Sequence, residues 1–281
     1  MVRTKINEQA QKDLGIKINL EGVDGLTIQA RVTSAVSSGS GPDIISAINN
    51  WAQLYADSVV DVSDVAEEIG KAQGGYYETA KAIAYDGKKW LGVPNTIVGL
   101  QIANRAFLSG TISATNNGAS IYLEAKKKPD AYQTENGKPL FQDILHARIP
   151  KGPGGQYALP GPFTDMLMKY SPNQKPAKDF LKWVHSKPVF SQWFTSQQGY
   201  TDGATKDWEK DPVWDLDPIL LPFRDLPTIG RTWGFAGPPG RASAEAVTKY
   251  VIVDMYAKAI QGMAAEEAVK WAHDELVKIY T

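Results

Sequence analysis

The order of apolar and polar positions near the start of the chain predicts helices and strands in turn. Residues 4–14 have helical spacing and end at Gly15, a residue type common just after a helix. Residues 16–20 alternate apolar and polar side chains, which predicts a strand. A second helix is expected from about 26 to 37, followed by a Ser-Gly-Pro breaker and a short apolar strand at 43–48. Strand, helix and strand in this order favour a parallel sheet.

The same reading predicts a site beyond the second strand. In open parallel sheets, ligands lie beyond the C-terminal ends of the strands. Asn49, Asn50 and Trp51 directly follow the strand predicted at 43–48. These three side chains are therefore the first candidates for ligand contacts.

The remainder of the chain predicts further helices separated by long irregular segments. Asp86-Gly87 lies between two short apolar runs and predicts a hairpin. Helices are expected over 173–185, in a stretch ending at Gly199, and over 243–261 and 264–280. The Gly- and Pro-rich segment 130–162 predicts loops that cross between lobes, with a hinge near Ala158. Residues 208–239 lack a period and predict a long ordered loop rich in aromatic residues.

Composition narrows the class of protein. Of the 281 residues, 43% are apolar and 22% charged, and the net charge is −1, which is typical of an ordinary globular protein and gives no basic patch for nucleic acid. There is no cysteine, which excludes disulfides, thiolate metal sites and cysteine nucleophiles. The opening residues carry no apolar segment typical of an export signal, and no window is apolar enough for a membrane span. The sequence therefore indicates either a cytoplasmic protein or a processed or incomplete form of an exported one.

Four segments, in order, resemble those of one known family. They are Ser-Gly-Ser-Gly-Pro-Asp-Ile-Ile at 38–45, Asp-Gly-Lys-Lys-Trp-Leu-Gly-Val-Pro at 86–94, the run from 106 to 120 that ends in Asn-Gly-Ala-Ser, and the Ser-Pro-Asn helix at 170–183. This set is similar to the extracellular solute-binding proteins of ABC importers, family 1, the maltose-binding-protein-like group of periplasmic binding proteins.

The resemblance implies an α/β fold with two lobes, mixed sheets flanked by helices, and a ligand held between the lobes. It predicts that 1–104 and 158–202 form the first lobe, and that 105–157 and 203–281 form the second. Two departures follow from the same comparison. The family's first strand precedes the point where this sequence begins, and a long stretch of lobe two is absent where Arg105 meets Ala106. The second lobe is accordingly expected to be truncated and to expose an apolar face.

The resemblance also proposes ligand-binding residues. Asn49, Asn50 and Trp51 follow the Gly-Pro-Asp strand, with the alternatives that an asparagine caps the next helix and that Trp51 is core. Asn95 lies where the family's hairpin re-enters the cleft. The remaining candidates are Asn117, Ser120, Trp233 and Phe235, set against a glycine turn without ligand contact for the first two and packing over the last helix for Trp233.

Other chemistries find less support in the sequence. His146, His185 and His273 are far apart along the chain and favour core or surface roles over a metal site. The acid pairs Asp207/Glu209 and Asp215/Asp217 would suit a hydrolase, although acids in a Pro-rich loop are usually solvated or capping. No cofactor and no metal are expected.

The sequence thus predicts a binding protein and not an enzyme. Its ligand is a small polar solute, with a sugar favoured because amide and aromatic side chains suit neutral polyols. The expected partners are this solute and the transmembrane permease subunits of an ABC importer, the expected location is the periplasm, and a monomer is expected. Because the second lobe is truncated, binding is expected to be weaker than micromolar. A carbohydrate-active hydrolase and a folded remnant without ligand remain open alternatives.

Overall fold

Helices flank a single sheet in the part of the chain that can be described. The computed structural model describes residues 2–24, 27–99, 104–237 and 240–281. The helices are α1 Val2–Leu14, α2 Ile28–Ser38, α3 Trp51–Leu54, α4 Ser63–Ala72, α5 Glu78–Ala84, α6 Asn104–Leu108, α7 Ser120–Lys127, α8 Gln174–Val184, α9 Lys187–Ser196, α10 Leu226–Ile229, α11 Arg241–Thr248, α12 Val251–Ile260 and α13 Ala265–Tyr280. The strands are β1 Ile44–Ile48, β2 Val93–Gly99, β3 Pro160–Leu167 and β4 Thr201–Gly203. The fold is α/β, as expected.

The sheet has the order β1-β3-β2-β4, and its three strand pairs are antiparallel. β1 pairs with β3 from Ile44 opposite Leu167 to Ile48 opposite Phe163. The parallel pairing expected for β1 is therefore wrong within the described residues. The reason is that residues 16–20 form no strand and are mostly exposed, so the predicted parallel neighbour is missing. Alternation alone does not make a strand when no partner supplies hydrogen bonds.

Other predicted elements differ in detail. The hairpin around Asp86 is reduced to one antiparallel bridge between Tyr85 and Trp90. The helix expected over 243–261 is broken, because Tyr250 adopts a left-handed conformation with φ of 54° between α11 and α12. The long loop after Trp208 contains short 3-10 helices and α10.

Two apolar clusters pack on opposite faces of the sheet. Successive side chains of a strand point to opposite faces. On β3, Leu167 packs with α4, α5 and α8, whereas Met166 packs with α2 and α3. All of these strand side chains are fully buried. The sheet is therefore sandwiched between helices, and β1 delivers residues 49–51 at its end.

A third cluster joins segments that are far apart in sequence. Ile121, Tyr122 and Ile144 are buried against Leu220. Phe190, Phe194, Trp208 and Trp214 form an aromatic cluster that shares Phe223 with this region. Ala158, where a hinge is predicted, is bridged to Gly230: its N–H donates to Ile229 O at 3.0 Å, and Arg231 N–H donates to its carbonyl at 2.8 Å.

The C-terminal helices expose a broad apolar surface. α12 packs against α13, and Lys258 Nζ lies 4.5 Å from the centre of the Trp271 ring. The exposed apolar side chains on the two helices are Ile252, Val253, Tyr256, Ile260, Val269, Val277 and Tyr280. The sequence predicts an exposed apolar face in the second lobe, and the deletion that would leave it stays a prediction.

Candidate functional site

Asn49 sits at the turn between β1 and α3 in a backbone conformation that few residue types tolerate. Its φ is 55°, in the left-handed region where asparagine is several-fold enriched. Its N–H donates to Pro162 O at 2.8 Å, which fixes the turn to β3. Its side-chain oxygen Oδ1 is buried and has no hydrogen-bond partner within the described residues. The turn therefore aims an unused acceptor inward.

Asn50 presents a second unused acceptor beside the first. The residue is 1% exposed, and its Nδ2 donates to Ser243 Oγ at 3.0 Å. Ser243 lies in the first turn of α11, where its hydroxyl also donates to Gly240 O at 2.8 Å. Asn50 Oδ1 is left without a partner in the described chain. An unsatisfied buried acceptor costs about 1–3 kcal/mol, so a ligand hydroxyl that donates to it would be stabilising. We call Asn49, Asn50 and Ser243 the amide junction.

Two alternatives to ligand contact were open for this segment: a helix cap at an asparagine and a core role for Trp51. Asn50 precedes α3, but its side chain makes no capping hydrogen bond, so the helix-cap alternative is wrong. Trp51 is half-buried and packs against the cluster that contains Val32 and Met166. The ring of Trp51 therefore packs in this cluster, and part of it remains exposed next to the turn.

Asn95 lies on β2 within a polar network on the sheet. Its Nδ2 donates to Ser46 Oγ at 3.4 Å, and Asp165 Oδ2 lies 3.0 Å from His185 Nε2. Burial opposes ionisation of Asp165, but its hydrogen bond and charge interaction with His185, together with bonds from Asn95 and Ser46, lower its pKa. A void that Asn95 lines together with His185 and Trp208 has a volume of about 10 Å³, which is the size of one water probe.

The order in which Ser46, Asp165 and His185 are hydrogen-bonded does not suit catalysis by a serine nucleophile. A serine nucleophile needs the imidazole between itself and the carboxylate. Here Asp165 is the central group, bonded to Ser46 and His185. The network therefore positions side chains on the sheet and does not activate Ser46.

Asn117 and Ser120 form a separate cluster with Asn104. Ser120 Oγ donates to Asn117 Oδ1 at 3.3 Å, Asn104 Nδ2 donates to Ser120 Oγ at 3.0 Å, and Asn117 Nδ2 donates to Asn104 Oδ1. These bonds tie α6 to the start of α7. The hydrogen bonds between the described residues do not join this cluster directly to the amide junction.

A cavity of about 520 Å³ lies between the start of α5, the segment after β4 and the segment after α10. We call it the tyrosine cavity, after Tyr76 and Tyr77 on its wall. Phe235 lines it and is 62% exposed. Trp233 is half-buried and is not part of its lining. Of the three predicted aromatic contacts, Trp51, Trp233 and Phe235, only Phe235 lines this cavity.

Carboxyl groups gather behind the tyrosine cavity. The Tyr77 hydroxyl donates to Glu209 Oε1 at 2.6 Å. Burial, reinforced by Glu209, raises the pKa of Tyr77. Asp202 on β4 is 4% exposed, and burial, followed by repulsion from Asp225 and Glu209, raises its pKa well above the usual range. The sequence singled out Glu209 as a hydrolase acid, but it gave no signal for Tyr77, Asp202 or Arg231, because their neighbours are far away in the chain.

The two predicted acid pairs are engaged in different places. Glu209 accepts from Tyr77, Asp207 pairs with Lys187, and Asp217 accepts from Tyr122 at 2.6 Å and pairs with Lys126. Asp215 is exposed. These contacts hold Glu209, Asp207 and Asp217 as partners of other side chains.

The histidines occupy core and surface positions. His146 packs between Tyr122 and Phe223, with ring centres 5.5 Å and 4.8 Å away, His185 is buried beside Asp165, and His273 is exposed. The described residues contain no group of three or more side chains arranged to hold a metal ion. Within the same ranges, none of the helices has the length and apolar character that crossing a membrane requires.

Comparison with known families and solved structures gives matches to solute-binding proteins. Residues 5–105 match the model of the bacterial extracellular solute-binding proteins. A search of the curated proteins gives no match.

Solved structures match almost the entire chain at low sequence identity. A Thermotoga lettingae ABC transporter solute-binding protein with bound α-D-tagatose is 14% identical, with a TM-score of 0.72, over 100% of this chain and 96% of that one. A cyclo/maltodextrin-binding protein with maltotetraose is 16% identical, with a TM-score of 0.65, over 99% and 92%. The maltotriose-binding protein of Thermus thermophilus is 13% identical, with a TM-score of 0.65, over 99% and 95%. These neighbours are binding proteins by description.

The chain therefore has the fold of these solute-binding proteins, and over residues 5–105 it matches the model of the bacterial extracellular solute-binding family.

Proposed function

We propose that this protein is the solute-capturing component of an ABC importer, which binds a sugar at the amide junction and delivers it to a membrane permease. The observation that carries the proposal is the pair of unpartnered acceptors, Asn49 Oδ1 and Asn50 Oδ1, at the end of β1. Sugar hydroxyls are donors that can satisfy both acceptors. The sugars bound by the structural neighbours support this ligand class.

Capture at this place requires α11 to move. Asn50 is buried and already bonded to Ser243, so the ligand would enter when α11 separates from α3. Such opening is the hinge motion by which two-lobed binding proteins admit ligands. We place the lobe boundaries near residues 104, 157 and 202, with the second lobe reduced in size.

We also propose the other predicted site residues as ligand contacts. Trp51 directly follows the junction, and Asn95 donates to Ser46 on β1. The other four residues, Asn117, Ser120, Trp233 and Phe235, would approach only if the second lobe closes differently around a ligand. Since one lobe would provide most contacts, we expect binding weaker than micromolar. The protein acts as a monomer in the periplasm and performs no catalysis.

A thermal-shift screen tests the proposal. Maltose, maltotriose and tagatose are the first sugars, and spermidine serves as a cationic comparison. A sugar at 100 times its dissociation constant adds about 2.7 kcal/mol of stability and raises the melting temperature by several degrees. A chain that responds to none of the sugars, or to spermidine alone, contradicts the proposed function.

A further inference from the structure

The tyrosine cavity is large enough for a ligand of its own. Its volume of about 520 Å³ lies within the range of small-molecule pockets. Its wall includes Tyr76, Tyr77, Thr79, Glu209, Arg231 and Phe235, which come from three separate segments. None of these is part of the amide junction.

One wall carries a carboxylate that lacks an ionic partner. Glu209 accepts the Tyr77 hydroxyl, and no cation of the described residues lies within ion-pair distance of it. Asp202 lies close enough to Glu209 for the two carboxyl groups to interact through their charges. The hydroxyl of Tyr76, which also lines the cavity, is buried without a hydrogen-bond partner in the described chain. This end of the cavity therefore favours a cationic donor.

Another wall carries a cation that lacks an anionic partner. The Arg231 guanidinium lies 4.5 Å from the ring centre of Tyr157 and 5.7 Å from that of Phe235. No carboxylate in the described ranges forms an ion pair with it. Arg231 Nη1 donates to Gly230 O at 3.5 Å, and the other N–H donors of a guanidinium can pair with a carboxylate in a bidentate manner.

A ligand with both charges would satisfy both walls. Glu78 and Lys206 also line the cavity, so its formal charge is balanced. A neutral sugar would leave Glu209 and Arg231 without ionic partners, and a simple cation or anion would satisfy only one of them. A free amino acid fills only part of about 520 Å³, whereas a dipeptide uses more of it.

We propose that the tyrosine cavity is a second binding site, for a zwitterionic amino compound of dipeptide size. The ammonium group binds Glu209, the carboxylate binds Arg231, and an apolar side chain packs on Phe235. This inference goes beyond the proposed sugar binding and does not depend on it.

Calorimetric titration with alanyl-phenylalanine tests the proposal on the full chain. The matched probe is the same dipeptide with an acetylated amino end and an amidated carboxyl end. We expect the free dipeptide to bind and the blocked one to bind at least about tenfold more weakly, since each charge-assisted hydrogen bond contributes about 1.5–3 kcal/mol. Because both probes meet the unaltered protein, this arm does not depend on any variant folding.

Two substitutions and their controls locate the site. Glu209→Gln keeps an acceptor for Tyr77 but loses the charge, and Arg231→Gln removes the guanidinium. Each is expected to weaken dipeptide binding about tenfold or more, with sugar binding unchanged. Glu135→Gln and Arg224→Gln remove exposed charges outside the cavity and should leave dipeptide binding intact. Absence of dipeptide binding up to about 10 mM, equal binding of the blocked probe, or binding unaffected by both cavity substitutions would overturn the proposal.

Discussion

The amide junction and the tyrosine cavity are opposite ways of preparing a protein for a ligand. At the junction, the protein's own Ser243 occupies the donor of Asn50, and the unused groups are neutral acceptors. The cavity is open, and its wall carries charges without ionic partners. Buried neutral acceptors suit a hydroxylated solute that enters when α11 and α3 separate. An open cavity with charged walls suits a ligand that binds without such a motion.

Two acids in the protein have pKa values that shift in opposite directions. Asp165, in the network beside the junction, has a lowered pKa because the bonds from His185 and its polar neighbours outweigh burial. Asp202, behind the cavity, has a raised pKa because burial and two nearby acids oppose its charge. The surroundings favour the ionised form of Asp165 and the neutral form of Asp202.

The largest expected effect is on the free energy of unfolding, when the buried Trp208 next to Glu209 is truncated. Trp208 is 6% exposed, packs on Phe190 and Phe194 with ring centres 5.0 Å and 4.9 Å away, and donates from Nε1 to Gln73 at 3.0 Å. Trp208→Ala should lower the free energy of unfolding by about 3–5 kcal/mol. Urea denaturation measures it. The half-buried Trp193→Ala is the control and should cost clearly less; equal losses would mean that Trp208 has no special role.

The two acids predict opposite dependences of stability on pH. A lowered pKa gives Asp165 a stabilising contribution that is present above the unfolded value of about 3.9 and is lost as the pH falls. The raised pKa of Asp202 gives a contribution that is present below about 3.9 and is lost as the pH rises through the folded value.

Substitution by asparagine should separate them. Asp202→Asn is expected to stabilise the protein by on the order of 1–2 kcal/mol at pH 8 and to have little effect at pH 4. Asp165→Asn should destabilise it by a similar amount at pH 8 and progressively less toward pH 3. Melting temperatures across this range measure both. The same sign for both variants at pH 8 would refute the contrast.

A smaller effect is expected at the junction itself. Ser243→Ala removes the bond from Asn50 and the local bonds to Gly240. The free energy of unfolding should fall by about 0.5–1.5 kcal/mol in all, while the amide oxygens stay available to a ligand. Urea denaturation and sugar titration of the same variant check this. A loss of sugar binding in Ser243→Ala would show that the serine, and not the amide oxygens, holds the ligand.

Local patterns predicted the elements, but not the contacts that build either region. The predicted helix before Gly15 and the predicted strand before Asn49 are confirmed, since each depends on neighbouring residues. The strand at 16–20 was wrong because a strand also needs a partner. Asn50 was proposed from its place after β1, but its contact with Ser243 joins residues 193 positions apart. The Tyr77–Glu209 bond spans 132 positions, and no local signal marks it.

The central claim is that the amide oxygens at the end of β1 bind the sugar, and one calorimetric comparison tests it most directly. The sugar that gives the largest thermal shift is titrated into the unaltered protein, Asn49→Gly, Asn50→Ala and Glu209→Gln. Glycine tolerates the left-handed backbone at position 49, so the first variant removes the acceptor without adding strain. We predict that each asparagine variant binds the sugar about tenfold more weakly, at a cost of about 1.4 kcal/mol, and that Glu209→Gln binds it normally. Unchanged binding in both asparagine variants, together with a loss in Glu209→Gln, would move the sugar to the tyrosine cavity and contradict the account.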